Sequence, residues 1–425
     1  MKNILTSILL AALALTLQSC LHDDNELFDT PAAKRIQDVV ASHKQILESA
    51  PNGWELHYYS GEDYSGGGYT MLIRFKDGKA HVSSDLTGNT SMVSTSSYDV
   101  IKDMGPVLTF NTYNELMHFL AQPYQSNVEG EQGDFEFLIL EASADKIKLK
   151  GKKWKNEMEM TRIPDDVVWK DYLDKLQAVN QKLRFIYDNK VNGEKVSTLY
   201  LKKDYRRVTF LGENMPESAY YVTTKGIRLH EPIDIGNGTK IAELELDETT
   251  GALVAPEEPS LTITLSENPN QNLDISTLFG SWQMPCTVYS ATDQSSKTLT
   301  VDFEAIKNEI DTPYETIIEA TIHYGALDYN FYLYYMPDEG ELRIGNNNVK
   351  DPTDEHSYLT VYPLTDDFYI ASKMSFKYDA DTNKLVCNQP GYTISYLFIE
   401  TDENGDEGLS LAIAFTGIKT LTKNN

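Results

Sequence analysis

Apolar residues recur at helical spacing in three segments of this chain. The first runs from Pro31 to Ala50, where Thr30 can cap the helix and proline suits the first helical position. The second is short: residues 112–115 (Thr-Tyr-Asn-Glu) fit a capping box, and Pro123 follows the apolar run. The third extends from Asp165 to about Tyr187 and has the clearest apolar stripe, formed by Val168, Tyr172, Leu176, Val179 and Leu183.

Two-residue alternation predicts strands over most of the remaining chain. Tyr69, Met71, Ile73 and Phe75 share one face of a strand, and Asp77-Gly78 then gives a type I′ hairpin signal. The other predicted strands are bounded by turn residues and lie at 135–140, 146–150, 199–201, 207–211, 220–223, 241–246, 298–303, 316–324, 329–335, 357–362, 368–378, 392–400 and 409–416.

These elements predict an α+β fold in which β-structure dominates: antiparallel sheets, as sandwich or barrel-like units, with a few helices. We expect an N-terminal helix plus β-sheet domain at 31–164 and a helix plus middle β-unit at 165–254. A C-terminal antiparallel β domain is expected at 261–425. The polar, proline-rich segment 255–260 is the predicted linker before it.

The balance of charge restricts the partners. Lys and Arg number 37 against 64 Asp and Glu, which gives a formal net charge of −27 at pH 7. This excess of negative charge argues against binding of nucleic acid and against adsorption to anionic lipid. The 41% hydrophobic content is ordinary for a folded protein and excludes wholesale disorder. Three cysteines are too few for a disulfide-rich scaffold or a multi-cysteine zinc protein.

Residues 1–19 have the pattern of a lipoprotein signal peptide. Lys2 precedes an uncharged, mostly apolar run at 4–17, which matches the core of a secretory signal and is short for a membrane span. The run ends in Leu-Gln-Ser before Cys20, which resembles the bacterial lipobox. The resemblance implies that Cys20 is lipidated and anchors the mature protein, since each buried methylene of an acyl chain contributes about 0.8 kcal/mol. An ordinary cleaved signal peptide followed by an incidental cysteine is the alternative.

An acidic tether follows at residues 20–30, with Asp23, Asp24 and Glu26 close to the cysteine. It resembles the surface-export signal of Bacteroidetes lipoproteins, which implies an outer membrane lipoprotein exposed at the cell surface. The alternative is a solvated tether without export information, which would leave the protein facing the periplasm.

Several longer strings resemble those of one family. They are residues 52–56 (Asn-Gly-Trp-Glu-Leu), residues 103–111 (Asp-Met-Gly-Pro-Val-Leu-Thr-Phe-Asn), and 135–137 (Phe-Glu-Phe) ahead of the lysine-rich run at 147–153. With the lipobox, the pattern resembles an uncharacterised family of Bacteroidetes lipoproteins, a domain of unknown function, over almost the entire mature chain. That family is associated with SusC/SusD-type outer-membrane uptake systems, so the resemblance implies a role in nutrient capture. It transfers no functional residue except Cys20.

The sequence contains no recognised catalytic string. Its eight histidines form no His-Glu-x-x-His motif, and we interpret them as core or surface residues. A zinc site built from histidines distant in sequence stays open, because ligands need only meet in space. Ser143 and Lys146 have Ser-x-x-Lys spacing but fall in a predicted turn, and the glycines at 66–68 are predicted to form a flexible loop tip. We expect no cofactor.

Two acidic segments, 379–383 and 402–406, have acidic or amide side chains at every second residue, as at the start of an EF-hand calcium loop. Each lacks the glycine and glutamate that an EF-hand requires at its sixth and twelfth positions. We therefore interpret both as hairpin turns and expect no metal.

Aromatic residues make up 11% of the chain and are mostly tyrosines. The candidates for ligand binding surround the glycine-rich loop, because loops often carry binding and tyrosine combines an apolar face with a polar edge; they are Trp54, Tyr58, Tyr59, Tyr64 and Tyr69. Core packing is the alternative for each. The tyrosines at 329–335 lie on both faces of a predicted strand and are expected in the core.

Two cysteines, Cys286 and Cys387, remain besides Cys20. They either form one disulfide or are two small buried hydrophobic residues.

These observations favour a non-enzymatic surface lipoprotein that binds a glycan or peptide, or presents it to an outer-membrane nutrient uptake complex. A hydrolase with a dispersed site and a structural assembly partner are the alternatives, which a pocket of converging titratable groups or a large apolar face would support.

Overall fold

The computed structural model describes residues 32–424 except 104, 124–127, 212–215, 235–239, 292–293, 308–315, 345–346, 352–353, 365–374, 389–392 and 402–406. Cys20, the signal peptide, the tether and the second acidic segment therefore lie outside the described residues. The α-helices of the described chain are α1 (Ala32–Glu48), α2 (Glu115–His118) and α3 (Trp169–Lys182). None of these helices combines the length and apolar character needed to cross a membrane.

The first eight described strands close into an antiparallel barrel. They follow one another in chain order: β1 (Trp54–Tyr59), β2 (Gly68–Lys76), β3 (Lys79–Ser84), β4 (Ser94–Lys102), β5 (Pro106–Phe110), β6 (Glu136–Ala142), β7 (Lys146–Gly151) and β8 (Glu157–Arg162). The barrel closes because Trp54 of β1 lies opposite Ile73 on β2 and opposite Arg162 on β8.

Large side chains fill the first barrel. Trp54, Tyr58, Phe75 and Phe137 are almost completely buried in its core. An eight-stranded barrel is just wide enough for side chains, so these rings occupy the space that a ligand would need. The Trp54 indole donates to the carbonyl oxygen of Leu47 at 2.9 Å, which ties the end of α1 to the barrel.

A second antiparallel barrel follows α3. Its strands are β9 (Ile186–Val191), β10 (Glu194–Lys202), β11 (Arg207–Leu211), β12 (Glu217–Val222), β13 (Gly226–Asp234), β14 (Lys240–Leu246), β15 (Leu253–Val254) and β16 (Leu261–Leu265). The barrel closes where β16 pairs with β9, from Leu261 opposite Val191 to Leu265 opposite Tyr187. The predicted linker at 255–260 thus lies between two strands of this barrel.

The two barrels pack through β2. Met71 and Ile73 lie in the core of the first barrel, whereas Leu72, on the opposite face of the strand, lies in the core cluster of the second barrel with Tyr220. Both faces of β2 are therefore buried where the barrels meet, and Arg74 and Lys76 are exposed beyond the contact.

The remaining described strands form one antiparallel sheet of a third unit. They are β17 (Gly280–Ser290), β18 (Ser295–Lys307), β19 (Ile317–Tyr324), β20 (Leu327–Met336), β21 (Glu341–Ile344), β22 (Asn347–Asp351), β23 (Asp354–Leu364), β24 (Phe376–Asp379), β25 (Lys384–Cys387), β26 (Ile394–Thr401), β27 (Glu407–Ile418) and β28 (Thr420–Lys423). The pairing of β17 with both β18 and β28 closes β17–β21, β24, β25 and β28 into a ring. From β17, the strands β27, β26, β23 and β22 branch off in that order.

The structure confirms the predicted fold class, with antiparallel sheets that close into barrel-like units and few helices. The type I′ hairpin is confirmed too, because Asp77 and Gly78 both have positive φ angles of 52° and 70°. The predicted capping box differs: Asn114 caps α2 by accepting from the Met117 N–H at 3.1 Å, whereas Thr112 accepts from Ser97 on β4. The helix begins at Glu115, so its cap position falls on Asn114 and Thr112 lies before it.

Candidate functional site

The glycine-rich loop between β1 and β2 is a close contact between the barrels. A Cβ atom on Gly67 would lie 2.1 Å from the carbonyl oxygen of Tyr205 in the second barrel, and one on Gly68 would lie 2.9 Å from that of Tyr220. The predicted flexible loop tip is therefore packed against another backbone. Only a residue without a side chain allows this approach.

A buried ion pair lies beside the glycines. Arg206 of the second barrel donates to Asp85 of the first at 3.1 Å, and the two side chains are 4% and 3% exposed. The guanidinium carbon also lies 5.2 Å from the centre of the Tyr69 ring. The pair crosses from one barrel to the other, so breaking it leaves a buried charge without its partner.

An open cleft of about 270 Å³ lies next to this contact. We call it the inter-barrel cleft. His57 and Tyr59 of β1 line it from the first barrel, and His230 of β13 lines it from the second. The other lining residues come from β6, β7 and β8; they are Leu140, Lys148, Leu149, Glu157, Met158 and Glu159.

Five rings from both barrels meet at the inter-barrel cleft, and we call them the cleft rings. His57 stacks on Tyr221 with 3.8 Å between ring centroids and an interplanar angle of 20°. His230 lies 3.8 Å from Tyr64 and 4.6 Å from Tyr59. Tyr59 and Tyr64 meet edge to face at 5.6 Å. Each histidine of the cleft is therefore held against a tyrosine by contacts that join the two barrels.

The histidines and tyrosines of the cleft have distinct electrostatic environments. Burial lowers the pKa of His230, which favours the neutral imidazole at pH 7. The charge of Glu231 raises this pKa and the charge of Arg207 lowers it, and burial is the largest of the three effects. Burial raises the pKa of Tyr221 to about 12 and raises the pKa of Tyr59 well above its usual range. Both hydroxyls therefore stay protonated at neutral pH.

Glu55 links His57 to the helix that joins the barrels. Its carboxylate lies 3.3 Å from the Nε2 atom of His57 and accepts from the Tyr172 hydroxyl of α3 at 2.6 Å. Burial opposes ionisation, but the hydrogen bond and charge of His57 and the bond from Tyr172 outweigh it, so the pKa of Glu55 is lowered. A carboxylate at this position fixes the His57 ring.

The carboxylates on the rim of the cleft are already paired. Glu157 lies 3.1 Å from Lys150, and Glu159 lies 2.7 Å from Lys146. Lys148, which lies between these lysines on β7, pairs with Glu141 at 3.0 Å. The lysine-rich strand thus balances the acidic strand beside it, and within the described residues the rim is a ladder of opposite charges.

The structure separates the five candidate aromatic residues. Tyr59 lines the inter-barrel cleft, and Tyr64 supports it through His230. Trp54 and Tyr58 lie inside the first barrel, where the Tyr58 hydroxyl donates to the carbonyl oxygen of Asp134 at 2.9 Å. Tyr69 is buried in the same core and meets Arg206.

Other candidate groups have structural roles. Cys286 and Cys387 form no disulfide, and both are buried. Asp379 accepts from the backbone of Asp381 and Thr382, as a turn residue does. The described residues contain no group of three or more side chains that could hold a metal ion. Of the predicted core strand, Tyr329 and Tyr335 are buried, whereas the residues between them on the other face, such as Tyr332, are partly exposed.

No sequence pattern predicts that His57, His230 and Tyr221 lie close together. They lie on strands of two different barrels, and each is a half-buried residue of its strand. A second ring cluster was also not predicted: His118 of α2 stacks on Phe135 at 4.5 Å and lies 5.4 Å from Tyr113. Tyr113 is 60% exposed, and this cluster lies outside the lining of the inter-barrel cleft.

The fold and the cleft define a class of tandem antiparallel β-barrel proteins with an aromatic groove where two barrels meet. Over residues 24–248 the chain matches the family described as a domain of unknown function, DUF4302, and it belongs to that family. The matched region spans the first barrel and most of the second, and it ends before β15 and β16, which complete the second barrel. No curated protein matches the chain.

Among solved structures, the chain is similar to a protein of unknown function from the DUF3598 family of Nostoc punctiforme. The identity is 10%, the match covers 58% of this chain and 98% of that one, and the TM-score is 0.16. It is also similar to the isotype 1 transferrin binding protein B of serogroup B Neisseria meningitidis, with 10% identity, 86% and 73% coverage and a TM-score of 0.15. Likeness at these scores carries no argument about function.

Proposed function

We propose that this protein is a non-enzymatic binding protein and that the inter-barrel cleft binds a segment of a glycan. The observation that carries the proposal is the set of cleft rings, in which His57, Tyr59 and His230 line an open groove. Sugar rings present an apolar C–H face and a polar edge. Aromatic rings beside hydrogen-bonding side chains match both parts.

The size of the cleft limits how much of a glycan it can hold. Its volume of about 270 Å³ lies just below the range of typical ligand sites, which span about 300–1,000 Å³. The groove therefore holds one or two sugar rings and leaves the rest of a chain outside.

The rim of the cleft offers groups for recognition. Glu157 and Glu159 each pair with a lysine, so charged hydrogen-bonding groups of both signs lie along the groove, which suits recognition of hydroxyl groups.

A hydrolase acting at the same cleft is the second candidate. Its support is the convergence of His57, His230, Glu157 and Glu159 on one groove. Release of smaller sugars from a bound polysaccharide would establish it in place of the binding protein.

The proposed location follows from the N-terminal pattern. We propose that Cys20 carries the lipid, that the acidic tether places the barrels at the outer surface of the outer membrane, and that the protein presents its ligand to an uptake complex there. The segment 20–31 can extend over at most about 40 Å, which keeps the barrels close to a membrane transporter. The support is the signal pattern and the tether composition in the sequence.

Binding of the purified mature protein to a printed array of oligosaccharides tests the proposal. We expect binding that the His230→Ala variant weakens by about twofold to twelvefold, which corresponds to the loss of one ring contact of about 0.5–1.5 kcal/mol. His118→Ala is the matched control, because His118 is also a partly buried histidine stacked on an aromatic ring but lies outside the cleft lining. Absence of binding to every oligosaccharide, or equal loss in both variants, would contradict the proposal.

A further inference from the structure

The loop that carries Tyr64 has an unusual backbone. Asp63 and Tyr64 have φ angles of 50° and 63°, in the left-handed region that residues with a side chain rarely adopt. Two such residues in succession persist only where surrounding contacts hold them. The contacts of this turn, together with the bond that the Glu157 N–H donates to the Tyr64 hydroxyl at 3.2 Å, therefore decide where the Tyr64 ring lies.

Two of these contacts come from the loop itself. The Tyr64 N–H donates to the carbonyl oxygen of Gly61 at 3.2 Å, and the Gly67 N–H donates to that of Tyr64 at 3.1 Å. A third comes from the other barrel: the Nη1 atom of Arg207 donates to the Tyr64 carbonyl oxygen at 2.9 Å. Arg207 thus joins the strained turn to β11.

Arg207 is itself held in place. Its Nε atom donates to Glu217 of β12 at 2.9 Å, and burial leaves the side chain 17% exposed. Glu217 also lies 3.3 Å from Lys202. A guanidinium offers several donors in one rigid plane, so it can bond to the carboxylate and to the carbonyl together, which a lysine ammonium on a flexible stem does less well.

The neighbouring residue fixes the backbone of Arg207. Arg206 has a φ angle of 47° and forms the buried ion pair with Asp85 of the first barrel. Its carbonyl oxygen accepts from the Tyr220 N–H at 2.8 Å. Consecutive arginines of one turn therefore reach two different parts of the first barrel.

We propose that Arg207 is a positioning residue for the inter-barrel cleft: it holds the Tyr64 carbonyl, and through the Tyr64 ring it sets the orientation of His230. His230 lies between Tyr64 at 3.8 Å and Tyr59 at 4.6 Å, so a shift of the Tyr64 turn removes one of the two rings that confine the imidazole. The consequence for ligand affinity rests on the proposed function, whereas the position of His230 does not.

The test compares Arg207→Met, Arg207→Lys and Arg184→Met in the mature protein. Arg184 is the matched control, because it also donates to a backbone carbonyl at 2.9 Å, but to Gln181 within its own segment. The first measurement is the NMR chemical shift of the His230 ring protons, identified by their loss in His230→Gln. These protons sense the ring current of Tyr64. At a pH well above the pKa of His230 the imidazole is neutral in every variant, so the shift there reports the placement of the Tyr64 ring and not the loss of the Arg207 charge.

We expect Arg207→Met to move the His230 resonances towards those of an unstacked histidine, Arg207→Lys to move them partway, and Arg184→Met to leave them unchanged. Affinity for an oligosaccharide selected on the array should fall about tenfold in Arg207→Met and less in Arg207→Lys. Unchanged His230 resonances in a folded Arg207→Met variant would overturn the proposal. If the protein bound no oligosaccharide, the proposed function would fail, and the resonances would still decide the role of Arg207.

Discussion

The contact of Gly67 with the second barrel predicts a large effect of a single methyl group. In Gly67→Ala the new Cβ would lie 2.1 Å from the Tyr205 carbonyl oxygen and 2.5 Å from the Cβ atom of Arg206. Ordinary contact distances begin near 3.4 Å. The barrels must therefore separate by about 1 Å at this point, since neither partner is the end of a flexible side chain.

The expected cost has two parts. Gly67 has a φ angle of 78°, so any side chain there costs about 1–2 kcal/mol in backbone strain. Overpacking of a filled site adds about 1–3 kcal/mol. We expect Gly67→Ala to lower the free energy of unfolding by about 2–5 kcal/mol in total. It should also weaken ligand binding, because the cleft rings come from both barrels.

Gly78→Ala is the matched control for the strain. Gly78 has a φ angle of 70°, and a Cβ atom there would meet nothing within 4 Å. The Gly78→Ala substitution should therefore lower the free energy of unfolding by only about 1–2 kcal/mol. Calorimetric unfolding of both variants and of the wild type measures the difference. Equal destabilisation of the two variants, with unchanged binding in Gly67→Ala, would refute the inferred inter-barrel contact.

Three further predictions concern charge and location. Asp85→Asn should destabilise the protein by about 3–5 kcal/mol in chemical unfolding, because Arg206 stays buried without its ion partner; a change under about 1 kcal/mol would show that the pair contributes little. Because the folded-state pKa of Glu55 lies below its ordinary value of 4.5, its stabilising effect is present above that value and is lost as the pH falls through the folded-state pKa. The melting temperature of Glu55→Gln should therefore fall less steeply with acidification below about pH 5 than that of the wild type, and parallel curves would contradict this. Cys20→Ala should remove the acyl mass from the N-terminal peptide and release the protein from the membrane fraction, whereas an unmodified Cys20 in the native protein would contradict the proposed anchor.

Local patterns predicted the elements with strong short-range signals. The hairpin at Asp77-Gly78 follows from two residues that tolerate positive φ. Of the predicted stripe of α3, Leu176, Val179 and Leu183 are buried, whereas Val168 is exposed. The helix ends earlier than the pattern indicated, because Leu183 is already extended and β9 begins at Ile186. Closure of the barrels depends on pairs such as Leu261 opposite Val191, which no local pattern contains.

The candidate site depended on contacts that sequence spacing does not reveal. A glycine run looks the same in a mobile loop and in a packed contact, and the partner of Gly67 lies at Tyr205. A polar, proline-rich run such as 255–260 indicates a turn or loop, and it does not show whether that loop joins two domains or two strands of one barrel. Tyr58 and Tyr59 are neighbours in sequence, and the alternation of β1 places one inside the barrel and the other at the cleft.

The proposed function depends most directly on whether a ligand occupies the groove between the barrels. Titration of the mature protein with the oligosaccharide that binds best on the array, followed through the ring-proton resonances of all assigned histidines, decides this. We predict saturable shifts at His57 and His230 and none at His118, which lies outside the cleft lining. Saturable shifts at His118 with none at His57 and His230 would place the ligand elsewhere and contradict the assignment of the inter-barrel cleft.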